Sequence, residues 1–204
     1  VTTLLDLQKP FKQIHCEEFT KIPLNNETRV ILQNILENIQ NNVYIHEKEE
    51  PIFQEDYADI LKDLLNHDID TSRKVFNNSV HASLLNAPSY VQFIIPKEEH
   101  IKKNKDLSKQ LGINVTRLKI YVQKPGHLVP LHYDRLKEHA THRGVIFLTD
   151  WENGQCFQLG DEFLKWKAMD YIYTWQMSET VHGTANFGYK DRITLIVDFN
   201  QLIG

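Results

Sequence analysis

Long apolar runs are missing from these 204 residues: nothing approaches the ~18–20 consecutive apolar residues of a transmembrane helix. No membrane partner is expected. Cysteine is nearly absent, with Cys16 and Cys156 the two present. Two thiols so far apart make neither a disulfide framework nor a zinc ribbon, so the expected compartment is a reducing cytoplasm. Positive charge is in deficit, 23 Lys and Arg against 27 Asp and Glu, giving a net charge of −4 with His neutral. That balance offers no reason to track a phosphate backbone, which disfavours nucleic acid as a partner. Repeats, low-complexity tracts and Pro/Gly-rich linkers are lacking too, and residues 1–6 have neither a basic leader nor a signal-peptide core. What is present, 41% hydrophobic and 25% charged residues, is ordinary globular composition. The length suits one well-buried domain, residues 1–204.

Periodicity divides the chain. Ile31, Leu32, Ile35, Leu36, Ile39 and Val43 recur at helical spacing, with Asn25 or Asn26 available as N-cap. A second helix is expected after Asp56, where Tyr57, Ile60, Leu61, Leu64 and Leu65 line one face. Residues 71–95 fit neither period cleanly; a short helix and a strand ending at Pro96 are the expectation. From about Val115 the period becomes two: Leu118, Ile120 and Val122 alternate with Arg117, Lys119, Tyr121 and Gln123. Strand-like runs follow at 128–133, 144–148, 155–159, 163–168, 171–176 and 193–199, parted by turns such as Glu152-Asn153-Gly154. Short, regularly spaced strands predict a sandwich or barrel rather than βαβ units. The expected architecture is α+β and mainly β: helical or mixed support over about 1–110, packed on a double-stranded β-helix (a cupin-like jelly roll) over about 111–204, which carries the site.

His132-Tyr133-Asp134 closes one predicted strand. Residues i and i+2 share a strand face, so imidazole and carboxylate project together while Tyr133 points away. His182, in Thr180-Val181-His182-Gly183-Thr184, is the candidate third ligand. Two His and one carboxylate form the facial set of non-haem iron sites, which leaves coordination positions open. Alone, an H-x-D tripeptide is weak, and a surface turn is its ordinary explanation. The downstream order strengthens it. In the run from Asp191 to Phe199, Arg192, Thr194 and Ile196 share one face, while Ile193, Leu195, Val197 and Phe199 share the other. The apolar face must be buried, under the helices. In a closed jelly roll the first face looks inward, and an inward Arg192 needs an anion because an unpaired buried guanidinium is costly. A dicarboxylate suits its planar fork, with Thr194 adding a hydroxyl donor. An exposed Arg opening a strand is the ordinary alternative.

Together, His132-x-Asp134, His182 and Arg192-x-Thr194 resemble the H-x-D…H…R-x-S/T pattern of Fe(II)/2-oxoglutarate-dependent oxygenases, over roughly residues 118–200. Residues 145–150 with Asn153-Gly154-Gln155 resemble the central strand and turn of prolyl-hydroxylase-like members. Ala168-Met169-Asp170-Tyr171 stands where those members often have a Gly-Asp turn, with Met169 in place of Gly. Residues 192–198 resemble aspartyl/asparaginyl-hydroxylase-like members, which often lack the carboxylate that Asp134 supplies here. The pattern fits the superfamily and neither subfamily. The resemblance implies Fe(II) on His132, Asp134 and His182, and 2-oxoglutarate held at its far carboxylate by Arg192. It implies a dioxygenase that uses O2 to hydroxylate an unactivated C–H bond, releasing succinate and CO2, with ascorbate or another reductant needed in assays. Asp134 favours hydroxylation, since halogenating relatives replace that carboxylate. An amino-acid or peptidyl side chain is the expected substrate, with a small metabolite as the alternative. A non-catalytic cupin-like protein that binds metal and a carboxylate, or a metal-dependent isomerase or hydrolase, are the competing readings on the same fold.

Further candidates flank this set. Tyr121 and Lys119 lie on the polar side of the preceding strand, and Arg143 opens the next, where some hydroxylases place a second carboxylate-binding Arg. Arg192, Thr194, Tyr121 and Arg143 are therefore the cosubstrate-binding expectation. His139 and His142 read as solvated loop residues, lacking two more ligands for zinc. Trp151, Trp166 and Trp175 read as core, and Cys156 as a small buried apolar residue. The polar loop from Arg135 to His142 follows two ligands directly and is the expected place of substrate recognition.

Overall fold

Asn25 caps the first helix as its sequence position suggests: its side chain accepts from the Thr28 backbone N–H at 2.8 Å. Helix α1 (Asn26–Gln40) buries Leu32, Ile35 and Ile39 and leaves Val30 exposed. The computed structural model describes residues 19–46, 90–134 and 140–202. The helix expected after Asp56, most of the 71–95 segment, Cys16, His139 and the body of the loop after Asp134 lie outside the described residues. A second described helix, α2 (Lys97–Leu111), was not expected from periodicity. Its signals sit at its ends: Glu98 and Glu99 in the first turn, favoured by the helix dipole, and Gly112 beyond the last turn in the left-handed region at φ 66°.

Eleven strands are described: β1 (Thr20–Pro23), β2 (Ile45–His46), β3 (Val91–Ile94), β4 (Ile113–Gln123), β5 (Leu128–His132), β6 (His142–Phe147), β7 (Gln155–Leu159), β8 (Glu162–Phe163), β9 (Tyr171–Gln176), β10 (His182–Asn186) and β11 (Arg192–Leu202). They form a seven-stranded sheet, β1-β9-β6-β11-β4-β3-β2, and a four-stranded sheet, β5-β10-β7-β8. Every pairing is antiparallel. From β4 onward the chain keeps crossing between the sheets, with the β7–β8 hairpin as one step on the small sheet. This is a double-stranded β-helix, a cupin-like jelly roll.

The period-two reading of β11 holds on both faces. Ile193, Leu195, Val197 and Phe199 join Leu32, Ile35 and Leu107 of the helices in one core. Ile196 joins Val145, Phe157, Leu159, Trp166 and Trp175 in a second core on the other side of the large sheet. There the Phe147 and Trp166 rings stack at 3.7 Å and 8°. Three expectations need correction. The run 163–168 is a strand only where Glu162–Phe163 overlaps it, because among the described residues β8 pairs with Gln158 and Leu159 alone. Leu164 and Trp166 are still buried in the irregular segment that follows, where Trp166 Nε1 donates to the Thr149 carbonyl at 3.0 Å. His142 is not a loop residue: it opens β6 and stacks on Phe199 at 5.4 Å. Cys156 is only half-buried, since it takes the outward-facing register of β7 between buried Gln155 and Phe157.

Candidate functional site

Strand β10 runs between β5 and β7 and begins at His182, which is in register with His132 on one side and Leu159 on the other. The ladder therefore puts the backbones of His132 and His182 directly opposite each other. Asp134 lies two residues beyond the end of β5, and its Oδ2 is 3.3 Å from His182 Nε2. Among the described side chains these two form a pair, with no third His, Cys, Asp or Glu completing a cluster.

The His182 ring is fixed from two directions. The Trp175 ring packs against it at 4.9 Å, and Nδ1 lies 3.3 Å from the Thr180 carbonyl. A carbonyl can only accept, so that contact needs the proton on Nδ1, and Nε2 is the ring nitrogen that faces Asp134. Asp134 in turn is gripped by Arg143, whose Nη1 donates to Oδ1. Arg143 Nε donates to Asp198 Oδ1 at 2.8 Å. Burial works against the Arg143 charge, but the carboxylates of Asp134 and Asp198 outweigh it and hold the guanidinium charged more firmly than usual.

His182 and Asp134 border a cavity of about 270 Å³ between the sheets, and Arg192 borders it too. Arg192 opens β11 and is 2% exposed. Nη1 donates to the Cys156 carbonyl at 2.8 Å, Nη2 donates to the Gln123 side chain, and Nε has no partner. The guanidinium also lies 5.6 Å from the Phe157 ring and 5.8 Å from that of Trp166. Among the described residues no carboxylate pairs with it. Desolvation pushes its pKa down to about 9, the mark of a buried cation without a counter-ion.

The remaining candidates fall on the same cavity in different states. Thr194 lines it, but its hydroxyl donates to the Tyr121 carbonyl at 3.3 Å. Tyr121 lines it with its ring stacked on Tyr90 at 3.9 Å, and burial raises its phenol pKa. Lys119 lines it with Nζ 5.6 Å from the Tyr121 ring. Arg143 reaches the cavity wall but is engaged by two acids. Sequence reasoning missed Gln123, Asp198 and Tyr90. The signal for Asp198 was there: the 192, 194, 196 alternation extended by one step puts it on the site's face. Gln123 pairs with Arg192 across the β4–β11 ladder, which no single strand pattern reveals. A larger cleft of about 880 Å³ lies between α1 and the turns around Asp150 and Met169. It holds two internal ion pairs, Arg29 with Asp170 and Lys190 with Glu152, and it borders neither His182 nor Arg192.

No family model matches the chain, and neither does any curated protein. Among solved structures it is similar to a prolyl-4-hydroxylase from Pseudomonas putida, at 10% identity over 90% of this chain and 86% of that one, TM-score 0.45. It is similar to SnoK, a non-heme alpha ketoglutarate dependent carbocyclase from nogalamycin biosynthesis, at 13% identity over 98% and 84%, TM-score 0.45. It is also similar to AviO1 from Streptomyces viridochromogenes, at 13% identity over 98% and 97%, TM-score 0.42.

Proposed function

We propose that the protein is an Fe(II)- and 2-oxoglutarate-dependent dioxygenase that hydroxylates an amino-acid or peptidyl side chain. One observation carries the reading: a His–carboxylate pair and a buried arginine with no counter-ion among the described residues face the same small cavity. Each half fits its group. His182 and Asp134, with His132 in register opposite His182, supply the two-imidazole, one-carboxylate donor set suited to a divalent iron. Arg192, dry and matched only to neutral acceptors, suits the far carboxylate of a dicarboxylic acid.

Iron and 2-oxoglutarate would together supply the oxidation of an unactivated C–H bond, with succinate and CO2 as co-products. The chain's residues do the placing. The Cys156 carbonyl and the Gln123 side chain hold two arms of the Arg192 fork and fix its direction. Thr180 sets the His182 tautomer and Trp175 its ring plane. Phe157, Ile196 and the stacked Tyr90–Tyr121 pair wall the cavity with apolar surface, which limits water and strengthens the charge–charge contacts inside it. Lys119 and the segment following Asp134 are the candidates for contact with the primary substrate.

The test is succinate formation from 2-oxoglutarate with Fe(II) and ascorbate present, by wild type and by His182→Ala. Slow, substrate-independent succinate release that vanishes in the variant is expected, with stimulation by the correct amino-acid or peptide substrate. Tight binding of metal and 2-oxoglutarate with no succinate would select the non-catalytic binding protein. Turnover stimulated by a small metabolite and by no peptide would keep the dioxygenase and replace the substrate class.

A further inference from the structure

Four residues stand in one transverse row across the large sheet: Arg117 on β4, Asp198 on β11, Arg143 on β6 and Trp175 on β9. Two of them meet the site residues directly, Arg143 at Asp134 and Trp175 at His182. Asp198 touches neither. It is 1% exposed, and it stands between two arginines, accepting from Arg143 at 2.8 Å with Arg117 3.9 Å from its other oxygen. A buried carboxylate matched to a cation that itself grips a second carboxylate is an expensive arrangement to bury for packing alone.

We infer that Asp198 is a positioning residue for the Asp134 carboxylate, acting through Arg143; the inference rests on the metal reading above. The two oxygens of Asp134 are differently placed: Oδ1 faces Arg143, and Oδ2 lies 3.3 Å from His182 Nε2. An arginine with a single carboxylate frequently grips both oxygens in parallel, fork to fork. Here Asp198 occupies Nε, so that the guanidinium is shared between two acids and takes one oxygen from each. Oδ2 of Asp134 stays directed at the site. Asp198 also offsets a cation that would otherwise oppose a divalent metal held by Asp134. Both effects have one sign: without the Asp198 charge, Arg143 competes with the metal for Asp134. This gives Arg143 a role different from binding the cosubstrate.

The test measures Mn(II) affinity by calorimetry, with 2-oxoglutarate affinity measured separately on the Mn(II)-loaded protein. Asp198→Asn is expected to weaken Mn(II) binding 10- to 100-fold, the usual effect of losing an outer partner of a metal ligand. Asp198→Asn combined with Arg143→Met, which removes the competing cation, is expected to return affinity to within a few-fold of wild type. A folded Asp198→Asn protein with wild-type Mn(II) affinity overturns the inference. A double variant no better than the single one also overturns it, because the effect then does not pass through Arg143. Should Asp198→Asn not fold, Arg143→Lys serves: an ammonium has no fork to share between two acids, so Mn(II) affinity falls. If Arg143→Lys instead keeps Mn(II) affinity and loses 2-oxoglutarate affinity, Arg143 binds the cosubstrate and the inference fails. Failure of the underlying reading looks different: wild-type Mn(II) binding would then survive His182→Ala.

Discussion

Arg192 faces Gln123 directly across the β11–β4 ladder, and its Nη2 donates to the Gln123 side-chain oxygen. The contact is between a cation and a neutral amide, so it orients the guanidinium without neutralising it. An anion arriving in the cavity meets an aligned charge that has already lost its water. Removing one member of a desolvated charge pair typically costs about 2–5 kcal/mol, roughly 30- to 4,000-fold in affinity. Arg192→Ala is therefore expected to raise the 2-oxoglutarate dissociation constant across that range while metal binding is kept. Arg192→Lys retains more affinity than Ala, having charge without the fork. Gln123→Leu, which keeps the charge and loses its orientation, is expected to lose less than Arg192→Ala. Unchanged 2-oxoglutarate affinity in a folded Arg192→Ala protein would move the cosubstrate elsewhere, with Arg143 the next to examine.

The same burial makes a pH prediction in the absence of any ligand. Burial pushes the Arg192 pKa from the ordinary guanidinium range down to about 9, so between those two the unfolded chain binds more protons than the folded one. Stability from this group then rises with pH across that interval, and below about pH 9 its unfavourable contribution is constant. The difference in urea midpoint between wild type and Arg192→Met should be steady from pH 7 to about 8.5. It should shift in favour of wild type as pH is raised towards about 10.5. At pH 7 the Met variant should be no less stable than wild type, because it relieves a charge desolvation at the expense of two hydrogen bonds to neutral acceptors. A difference that stays flat to pH 10.5 would mean that Arg192 has a counter-ion in the free protein.

Gly154 separates two kinds of glycine requirement. Its φ is +91°, and a Cβ there would lie 2.7 Å from both the Gly188 nitrogen and the Phe187 carbonyl carbon. Those are backbone atoms, fixed by the bond from Phe187 N–H to the Gly154 carbonyl at 2.8 Å. Gly126 has φ +86° with nothing within 4 Å of the added carbon. Gly126→Ala should cost only the left-handed backbone strain, about 1–2 kcal/mol. Gly154→Ala adds overpacking of roughly 1–3 kcal/mol to a similar strain. At about 2–4 °C per kcal/mol, thermal melts should show Gly154→Ala several degrees below Gly126→Ala. Equal melting temperatures would mean that the Phe187–Gly188 backbone moves aside freely.

How far the sequence could be read depended on whether an element's own side chains decided its structure. In β11 they did: the apolar face at Ile193, Leu195, Val197 and Phe199 and the mixed face at Arg192, Thr194 and Ile196 separate into two cores as the alternation requires. Helix α2 hides behind its lysines, because its buried side is only Lys103 and Leu107, too thin a stripe to register as amphipathic. Lys103 is buried by its stem while Nζ reaches Asn34 at 2.8 Å. Strand β10 is illegible for another reason. His182-Gly183-Thr184-Ala185-Asn186 has little intrinsic strand preference, and it is extended because β5 and β7 pair with its two edges. The Arg143–Asp198 contact joins residues 55 positions apart, which no local pattern encodes.

The metal site gives the most direct contrast between neighbouring residues. His182→Ala removes a donor that lies 3.3 Å from Asp134 Oδ2, and His132→Ala removes the imidazole of the residue whose backbone is in register with it. Either change should abolish Mn(II) or Fe(II) binding at ordinary concentrations and with it any succinate formation. Asp134→Ala should do the same and in addition leave Arg143 with Asp198 as its one carboxylate among those it now touches, so its melting temperature should fall further than that of His182→Ala. Tyr133→Phe, between two proposed ligands, should change neither metal affinity nor turnover, because it removes a hydroxyl and none of the proposed donors. Assays need added Fe(II) and a reductant, since nickel, copper and zinc occupy such donors more tightly than iron does. Retained metal binding in both histidine variants, at normal fold and stoichiometry, would remove the facial site from this cavity and leave Arg192 as an anion-binding residue of a protein with different chemistry.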